Sequence, residues 1–336
     1  MPHDASFWVP LKNNTVQCTL CPHNCIIPNT KPGICGVREN NNGILYTLIY
    51  GKCSSIAVDP IEKKPLFHFH PGSTVLSLGS IGCNFKCTHC QNYTISQKKP
   101  NQYPLTNLSP SAAIKEAKLR RCKGIAWTYN EPIIWHEYAY DTAQLAKKQG
   151  LYTVYVTNGY IQEEPLKEIS EYLDAMNIDI KSFDESFYKK ICLAKLEPVK
   201  QTCKLALTLG IHIELTYLVI PRKNDNEKQI RSFCHWVVNT LGAEIPVHFS
   251  RFHPDYQMFD SEITPIETLL SINAIAQKEG LKYIYLGNIM HGNYENTYCP
   301  HCGSNIIKRN GFQSEIIGLD DHGKCQNCSN KLSIII

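Results

Sequence analysis

From residue 75 to residue 288 the chain alternates stretches that read as strands with stretches that read as helices, and few folds accommodate that order. Strands are expected at Val75–Ser80, Gly124–Asn130, Tyr152–Asn158, Ala175–Ile180, His212–Ile220, Val247–Phe252 and Tyr283–Gly287. Helices are expected between them over 111–121, Ile133–Lys148, 163–172, 186–191, 198–208, Glu227–Thr240 and Pro265–Lys278. Ser109 suits the N-cap of the first helix, with Pro110 at its first position. Asn158-Gly159 is a turn dipeptide that stops the third strand. Such alternation implies parallel strands joined by right-handed crossovers. The fold class is therefore α/β, and six or seven units predict a barrel, complete or of partial (β/α)6 type. A single barrel can reach 336 residues. Its functional residues would gather at the C-terminal ends of the strands. Residues 1–74 and 290–336 lack the alternation and are expected to be small cysteine-rich appendages on a barrel of residues 75–289.

There are 16 cysteines, and the first ten residues show no basic segment followed by an apolar one, so no secretory signal is expected. Metal binding is then favoured over a disulfide framework. The grouping agrees: Cys18, Cys21, Cys25 and Cys35 form one set, Cys83, Cys87 and Cys90 a second, and Cys299, Cys302, Cys325 and Cys328 a third. Cys53, Cys122, Cys192, Cys203 and Cys234 stand apart and read as small buried hydrophobes. No stretch is apolar enough to span a membrane, and a cytoplasmic location is expected. Lys and Arg number 34 against 30 acidic residues with no long charge block, so charge gives no support for nucleic-acid binding.

The central set has the spacing C-x3-C-x2-C just beyond the first expected strand. Three thiolates are one short of the four that usually close a [4Fe–4S] cage, which leaves one iron open to a small molecule. A structural zinc site would want a fourth ligand and would stay closed. Later strand ends carry Trp127-Thr-Tyr129-Asn130-Glu131-Pro132, Thr157-Asn158-Gly159, Asn177-Ile-Asp179-Ile-Lys181 and Arg251-Phe-His253. An amino group there could be met by backbone carbonyls and the Glu131 carboxylate.

The three-cysteine spacing resembles the signature of the radical S-adenosylmethionine (SAM) enzymes. The resemblance implies that the open iron binds the amino and carboxylate groups of SAM. The products would be methionine and a 5′-deoxyadenosyl radical that removes hydrogen from a substrate, an oxidoreductase chemistry supplied by the cofactor. Tyr129-Asn130-Glu131 resembles the family's Gly-Gly-Glu element, with Tyr129 and Asn130 in place of the glycines. Thr157-Asn158-Gly159, Asp179-Ile-Lys181 and Arg251-Phe-His253 resemble elements of the enzymes that activate pyruvate formate-lyase. By that likeness Thr157 and Asp179 approach the SAM carboxylate through a bound cation, although Val156 stands where those activases carry an aspartate. His253 would reach the ribose. His89 takes the place of an aromatic residue that contacts adenine. No residue is assigned to abstract hydrogen from substrate.

In the tail, Cys299-Pro-His-Cys302 and Cys325-Gln-Asn-Cys328 have the spacing of a zinc ribbon, and four thiolates would close a structural Zn2+ shell. The N-terminal spacing, C-x2-C-x3-C-x9-C, can hold zinc or an auxiliary [4Fe–4S] cluster, and ligand chemistry alone does not choose. Between that set and the barrel, Lys63 and Lys64 could face an anionic substrate. His68 and His70 alternate with Phe67 and Phe69, which would place both imidazoles on one strand face, as part of a lid.

Cys18-Thr-Leu-Cys21-Pro, Gly36-Val-Arg38, Asp59-Pro-Ile-Glu-Lys-Lys-Pro65, Gly82-Cys-Asn-Phe85 and Cys90-Gln-Asn-Tyr-Thr-Ile-Ser-Gln97 together resemble the radical SAM protein of the AmmeMemoRadiSam gene system. Tyr129-Asn-Glu-Pro132 fits as well. The likeness implies an electron donor such as flavodoxin or ferredoxin and a protein partner from the same gene system. Two alternatives remain at this stage: an activase of a glycyl-radical enzyme, and a zinc-dependent module that binds nucleic acid or protein.

Overall fold

The computed structural model describes residues 3–289 and 293–336. Residues 290–292, where the tail is expected to begin, lie outside the described residues. The main sheet has eight strands that lie side by side in chain order. They are β1 (Ser55–Pro60), β2 (Thr74–Gly79), β3 (Gly124–Trp127), β4 (Tyr152–Thr157), β5 (Ala175–Asp179), β6 (His212–Val219), β7 (Val247–Arg251) and β8 (Ile284–Gly287). Strands β2 to β8 are mutually parallel, with registers such as Gly124↔Val75, Ala175↔Val154 and Val247↔Ile284. Among the described residues β1 and β8 are the two edges, so the barrel is open between them. The alternation of the sequence thus yields the expected partial barrel.

Helices cover the crossovers: α1 (Pro110–Leu119), α2 (His136–Lys148), α3 (Glu163–Ser170), α4 (Leu196–Thr208), α5 (Glu227–Trp236) and α6 (Ile266–Lys278). Ser109 Oγ accepts a 3.3 Å hydrogen bond from Ala112 N and caps α1, as its sequence position predicts. Two expected helices change character. Residues Tyr188–Cys192 and Val237–Leu241 form π-helical turns, the first ending at Leu193 with φ +54.

The sheet also begins earlier than the alternation indicates. Strand β1 pairs antiparallel with β2, Ser55 opposite Gly79 and Pro60 opposite Thr74. Its mixed burial and terminal proline suit an edge strand and conceal it from a search for apolar runs. From Pro60 the chain crosses the interior at the N-terminal ends of the strands before rejoining β2. Ile61, Leu66 and Phe69 pack there with Val75, Ala126, Val154 and Ala175. Residues 61–73 are therefore a plug that forms the floor of the barrel, and the expected lid is not found. Phe69 makes only an isolated bridge, to Ile335, so His68 and His70 do not share a strand face. His68 is buried against Tyr285 Oη (2.6 Å), and His70 stacks on Tyr152 at the start of β4.

The tail packs on this plug and on β8. Arg309 Nη2 donates to Phe67 O at 2.7 Å, the guanidinium lies 4.1 Å from the Phe67 ring centroid, and Tyr285 Oη meets Thr297 Oγ1 at 2.8 Å. At the other end, two small three-stranded sheets carry the N-terminal cysteines. Asn42 and Gly43, with φ +54 and +82, turn the chain between Asn41 and Ile44 in one of these sheets.

Candidate active site

A cavity of about 540 Å³ opens at the C-terminal ends of the strands. Cys83, Cys87 and Cys90 line it together, as do Tyr129, Asn130, Glu131, Thr157, Asn158, Asp179, Lys181 and His89. The plug contributes Lys63, Lys64 and Phe67, and the tail contributes Glu295 and Phe312. The tail is thus part of the wall rather than a detached appendage.

The cysteine loop is held from several sides. Phe85 N donates to Cys83 Sγ at 3.3 Å, and Asn158 Nδ2 lies 3.7 Å from the same sulfur. Ser96 Oγ sits 3.1 Å from Cys90 Sγ. The turn Tyr188–Cys192 receives Lys86 N at Cys192 O and Thr88 N at Ile191 O, at 3.0 and 3.2 Å. Asn130 Nδ2 reaches Gly82 O at 3.1 Å while its Oδ1 accepts from Ser80 N at 2.9 Å. Asn130 and Asn158 therefore position the loop. Tyr129 has φ +74, so the backbone keeps a glycine-like conformation even though the side chain is large. Its hydroxyl donates to Asp59 Oδ2 at 2.5 Å, and Lys64 Nζ lies 4.7 Å over its ring.

Gly82 shows how tightly this corner is built. Its φ is +80, and a Cβ there would stand 2.7 Å from Cys35 O and 2.8 Å from Val37 Cγ1. Gly82→Ala is expected to cost roughly 2–3 kcal/mol, from backbone strain and overpacking together. Gly150 has a similar φ of +68 with nothing within 4 Å, so Gly150→Ala should cost only about 1 kcal/mol. Urea unfolding of the two variants measures the difference, and equal costs would refute the packing account.

Glu131 is almost fully buried. It accepts from Thr157 Oγ1 at 2.6 Å, Asn158 N at 2.9 Å and Ile133 N at 3.1 Å. A carboxylate offers about four acceptor directions, so one is left for a ligand. Burial pushes Glu131 up to about 7, partly offset by those donors. Asp179 Oδ2 accepts from Lys181 Nζ at 2.7 Å. Burial would lower Lys181, but Asp179 outweighs it and holds the ammonium above its ordinary value. A protein cation thus stands beside Asp179, where the resemblance places a bound one. Lys63 and Lys64 also line the cavity, both paired to Asp59 at 2.8 and 2.7 Å. His89 is buried with no partner for Nδ1, and burial pulls it down to about 3, so the ring is neutral.

Arg251 does not reach the cavity. Ser250 faces it, so its neighbour on β7 faces away, and Arg251 Nε donates to Thr264 O at 2.7 Å. His253 is exposed and does not line the cavity, but Gln91, which does, donates from Nε2 to its Nε2 at 2.9 Å. One wall feature escaped sequence reasoning. His248 lines the cavity and donates to buried Glu214 at 2.7 Å, and His212 Nε2 meets the same carboxylate at 3.1 Å. Burial alone would raise Glu214, but the two histidines hold it well below the usual range. Spacing along separate strands gives no local signal for such a pair.

The arrangement is shared with known proteins. Residues 78–234 match the radical SAM superfamily. An uncharacterized protein of Methanocaldococcus jannaschii is 49% identical over 334 residues, covering 99% of both chains. The pyruvate formate-lyase-activating enzyme of Clostridium pasteurianum is 24% identical over 202 residues, covering 54% of this chain and 81% of that one. This chain belongs to the radical SAM superfamily. Its fold is similar to that of Streptococcus suis SuiB bound to precursor peptide SuiA, with a TM-score of 0.50 at 13% identity, over 69% of this chain and 52% of SuiB.

Radical SAM membership implies a [4Fe–4S] cluster and SAM, and the residues present fit both. Cys83, Cys87 and Cys90 present three thiolates to one cavity, and the unpartnered Nδ1 of His89 lies on the same wall. The tail site has a different geometry. Cys299, Cys302, Cys325 and Cys328 are, among the described residues, the one group of three or more metal-ligating side chains with ligand atoms all within 4.8 Å of one another. Cys299 and Cys328 sulfurs are 3.6 Å apart, and those of Cys302 and Cys325 3.7 Å. That group can hold a single metal ion.

Proposed function

We propose that this radical SAM enzyme cleaves SAM reductively, with a [4Fe–4S] cluster on Cys83, Cys87 and Cys90, and abstracts hydrogen from a substrate bound in the same cavity. The observation that carries the reading is a set of three cysteines on the wall of a cavity at the strand ends, with no fourth cysteine lining it among the described residues. When bound, the cluster supplies one electron and an open iron to SAM. The chain's own residues supply the rest. Glu131 keeps one acceptor direction for the ammonium of SAM. Lys181, fixed by Asp179, offers a cation to its carboxylate in place of a metal ion. Neutral His89 presents a ring to the adenine, and His253, bonded to Gln91 of the cavity wall, serves the ribose. Arg251 has no role in this scheme. His248, oriented by Glu214, can move a proton at the cavity wall.

Lys63 and Lys64, both paired to Asp59, put two cations on the cavity wall, and they are read as contacts for an anionic group on the substrate. The tail is read as a zinc site. A flavodoxin- or ferredoxin-type donor and a cytoplasmic setting suit low-potential chemistry on free thiols. Membership of the AmmeMemoRadiSam system rests on the motifs from Cys18 to Gln97. Activation of a glycyl-radical enzyme is the second reading, favoured by the match to the Clostridium pasteurianum activating enzyme. A glycyl radical signal on a partner protein would select it.

The test is anaerobic reconstitution with iron and sulfide, followed by SAM and dithionite. Methionine and 5′-deoxyadenosine should appear in equal amounts. A fully loaded protein that leaves SAM intact would overturn the proposal.

A further inference from the structure

The N-terminal cysteines differ from the tail cysteines in a way that identifies their cofactor. Cys18, Cys21, Cys25 and Cys35 all line one small pocket. A zinc ion bound by four thiolates at about 2.3 Å in a tetrahedron sets its sulfurs about 3.8 Å apart. The tail matches that figure, with 3.6 and 3.7 Å. The N-terminal sulfurs do not, because among the described residues only the tail forms a group of three or more within 4.8 Å. The same wider spacing holds at Cys83, Cys87 and Cys90. Four sulfurs that share a pocket yet stand too far apart for one ion suit the corners of a cluster.

The pocket also touches the first cysteine loop. Asn84 lines it, and His23 Nε2 meets Asn84 O at 2.7 Å. On the other side of Cys83, Gly82 packs against Cys35 O closely enough to exclude a Cβ. Both neighbours of Cys83 therefore contact the N-terminal module.

We propose that Cys18, Cys21, Cys25 and Cys35 bind a second [4Fe–4S] cluster, closed by four protein sulfurs, next to the active-site loop. There it takes one electron from a low-potential flavin or iron–sulfur donor. It passes that electron to the active-site cluster and returns to its oxidised state, with no proton moved.

The experiment uses the full chain with Cys83, Cys87 and Cys90 all changed to Ala, purified and reconstituted anaerobically. About four irons and about four sulfides per chain should remain, with a reduced-cluster EPR signal after dithionite. Two zinc ions and no iron in that chain would overturn the proposal. Should the triple variant fail to fold, the wild type and Cys21→Ala/Cys25→Ala decide: iron should fall from about eight to about four per chain with the tail metal unchanged. An unchanged iron content in that pair refutes the second cluster. Iron kept in the triple variant but lost from the N-terminal variant would instead sink the reading of the active site and leave this one standing.

Discussion

Cys87→Ala is expected to lower 5′-deoxyadenosine formation by at least ~10³-fold, a barrier increase of about 4 kcal/mol. The reason lies in ligand count. Among the described residues three thiolates line the cavity, so losing one would leave two to hold the proposed cluster, which already has an open corner. Cys87 is also the most deeply buried of the three, and no cysteine lining the cavity is available to replace it. Cys203 supplies the control. It is fully buried and lies outside the cavity wall, so Cys203→Ala should cost modest stability and leave SAM cleavage near the wild-type rate. Iron content and 5′-deoxyadenosine are measured on the same anaerobic samples, with circular dichroism to show that both variants fold. A Cys87→Ala protein that retains its iron and its rate would remove the basis for the proposed chemistry.

The order of β2 to β8 was legible because each is a short segment rich in β-branched, aromatic or apolar residues between helical stretches and turn residues. The strand-end residues followed from the same fact, since a parallel barrel brings the ends of distant strands to one rim. Arg251 was misplaced by one residue of strand alternation: the motif at residues 251–253 fixed the neighbourhood, and the pleat decided that Ser250 faces inward. The plug was illegible for a different reason. Its Phe67-His68-Phe69-His70 run alternates like a strand, yet each side chain has its own tertiary partner. Tertiary contacts of that kind override local pattern. Asn130 and Asn158 illustrate a third limit. Their place at the strand ends was readable, but their grip on the cysteine loop depends on Gly82 O and Cys83 Sγ, which lie 48 and 75 residues away in the chain. The buried Glu214 between His248 and His212 likewise joins two strands, and no spacing announces it.

Glu137→Gln is expected to destabilise the chain by roughly 3–5 kcal/mol, because it leaves the Arg38 guanidinium buried without a counter-charge. Arg38 Nη1 donates to Glu137 Oε1 at 2.7 Å, and the two side chains are 1% and 4% exposed. The same oxygen accepts from Ser6 N at 2.8 Å, and Arg38 Nη2 donates to Ser6 O. One carboxylate thus ties the N-terminal sheets to α2 of the barrel. Burial alone would raise Glu137, but Arg38 and His136 outweigh it and hold the group below its ordinary value of 4.5. The unfolded chain therefore binds this proton more readily than the folded one. The pair's stabilisation is present above about pH 4.5 and is lost as pH falls through the lowered folded value. Urea midpoints at neutral pH and at successively lower pH should converge for the wild type and Glu137→Gln. Replacing both partners, as Arg38→Met with Glu137→Leu, should recover most of the loss, since an apolar pair carries no desolvation cost. If the single and double variants lose equal stability, the cost lies in packing and not in a stranded charge. Arg38 is three residues beyond Cys35 and lines the same pocket as the four N-terminal cysteines, so the single variant should also loosen that set and lower its metal content.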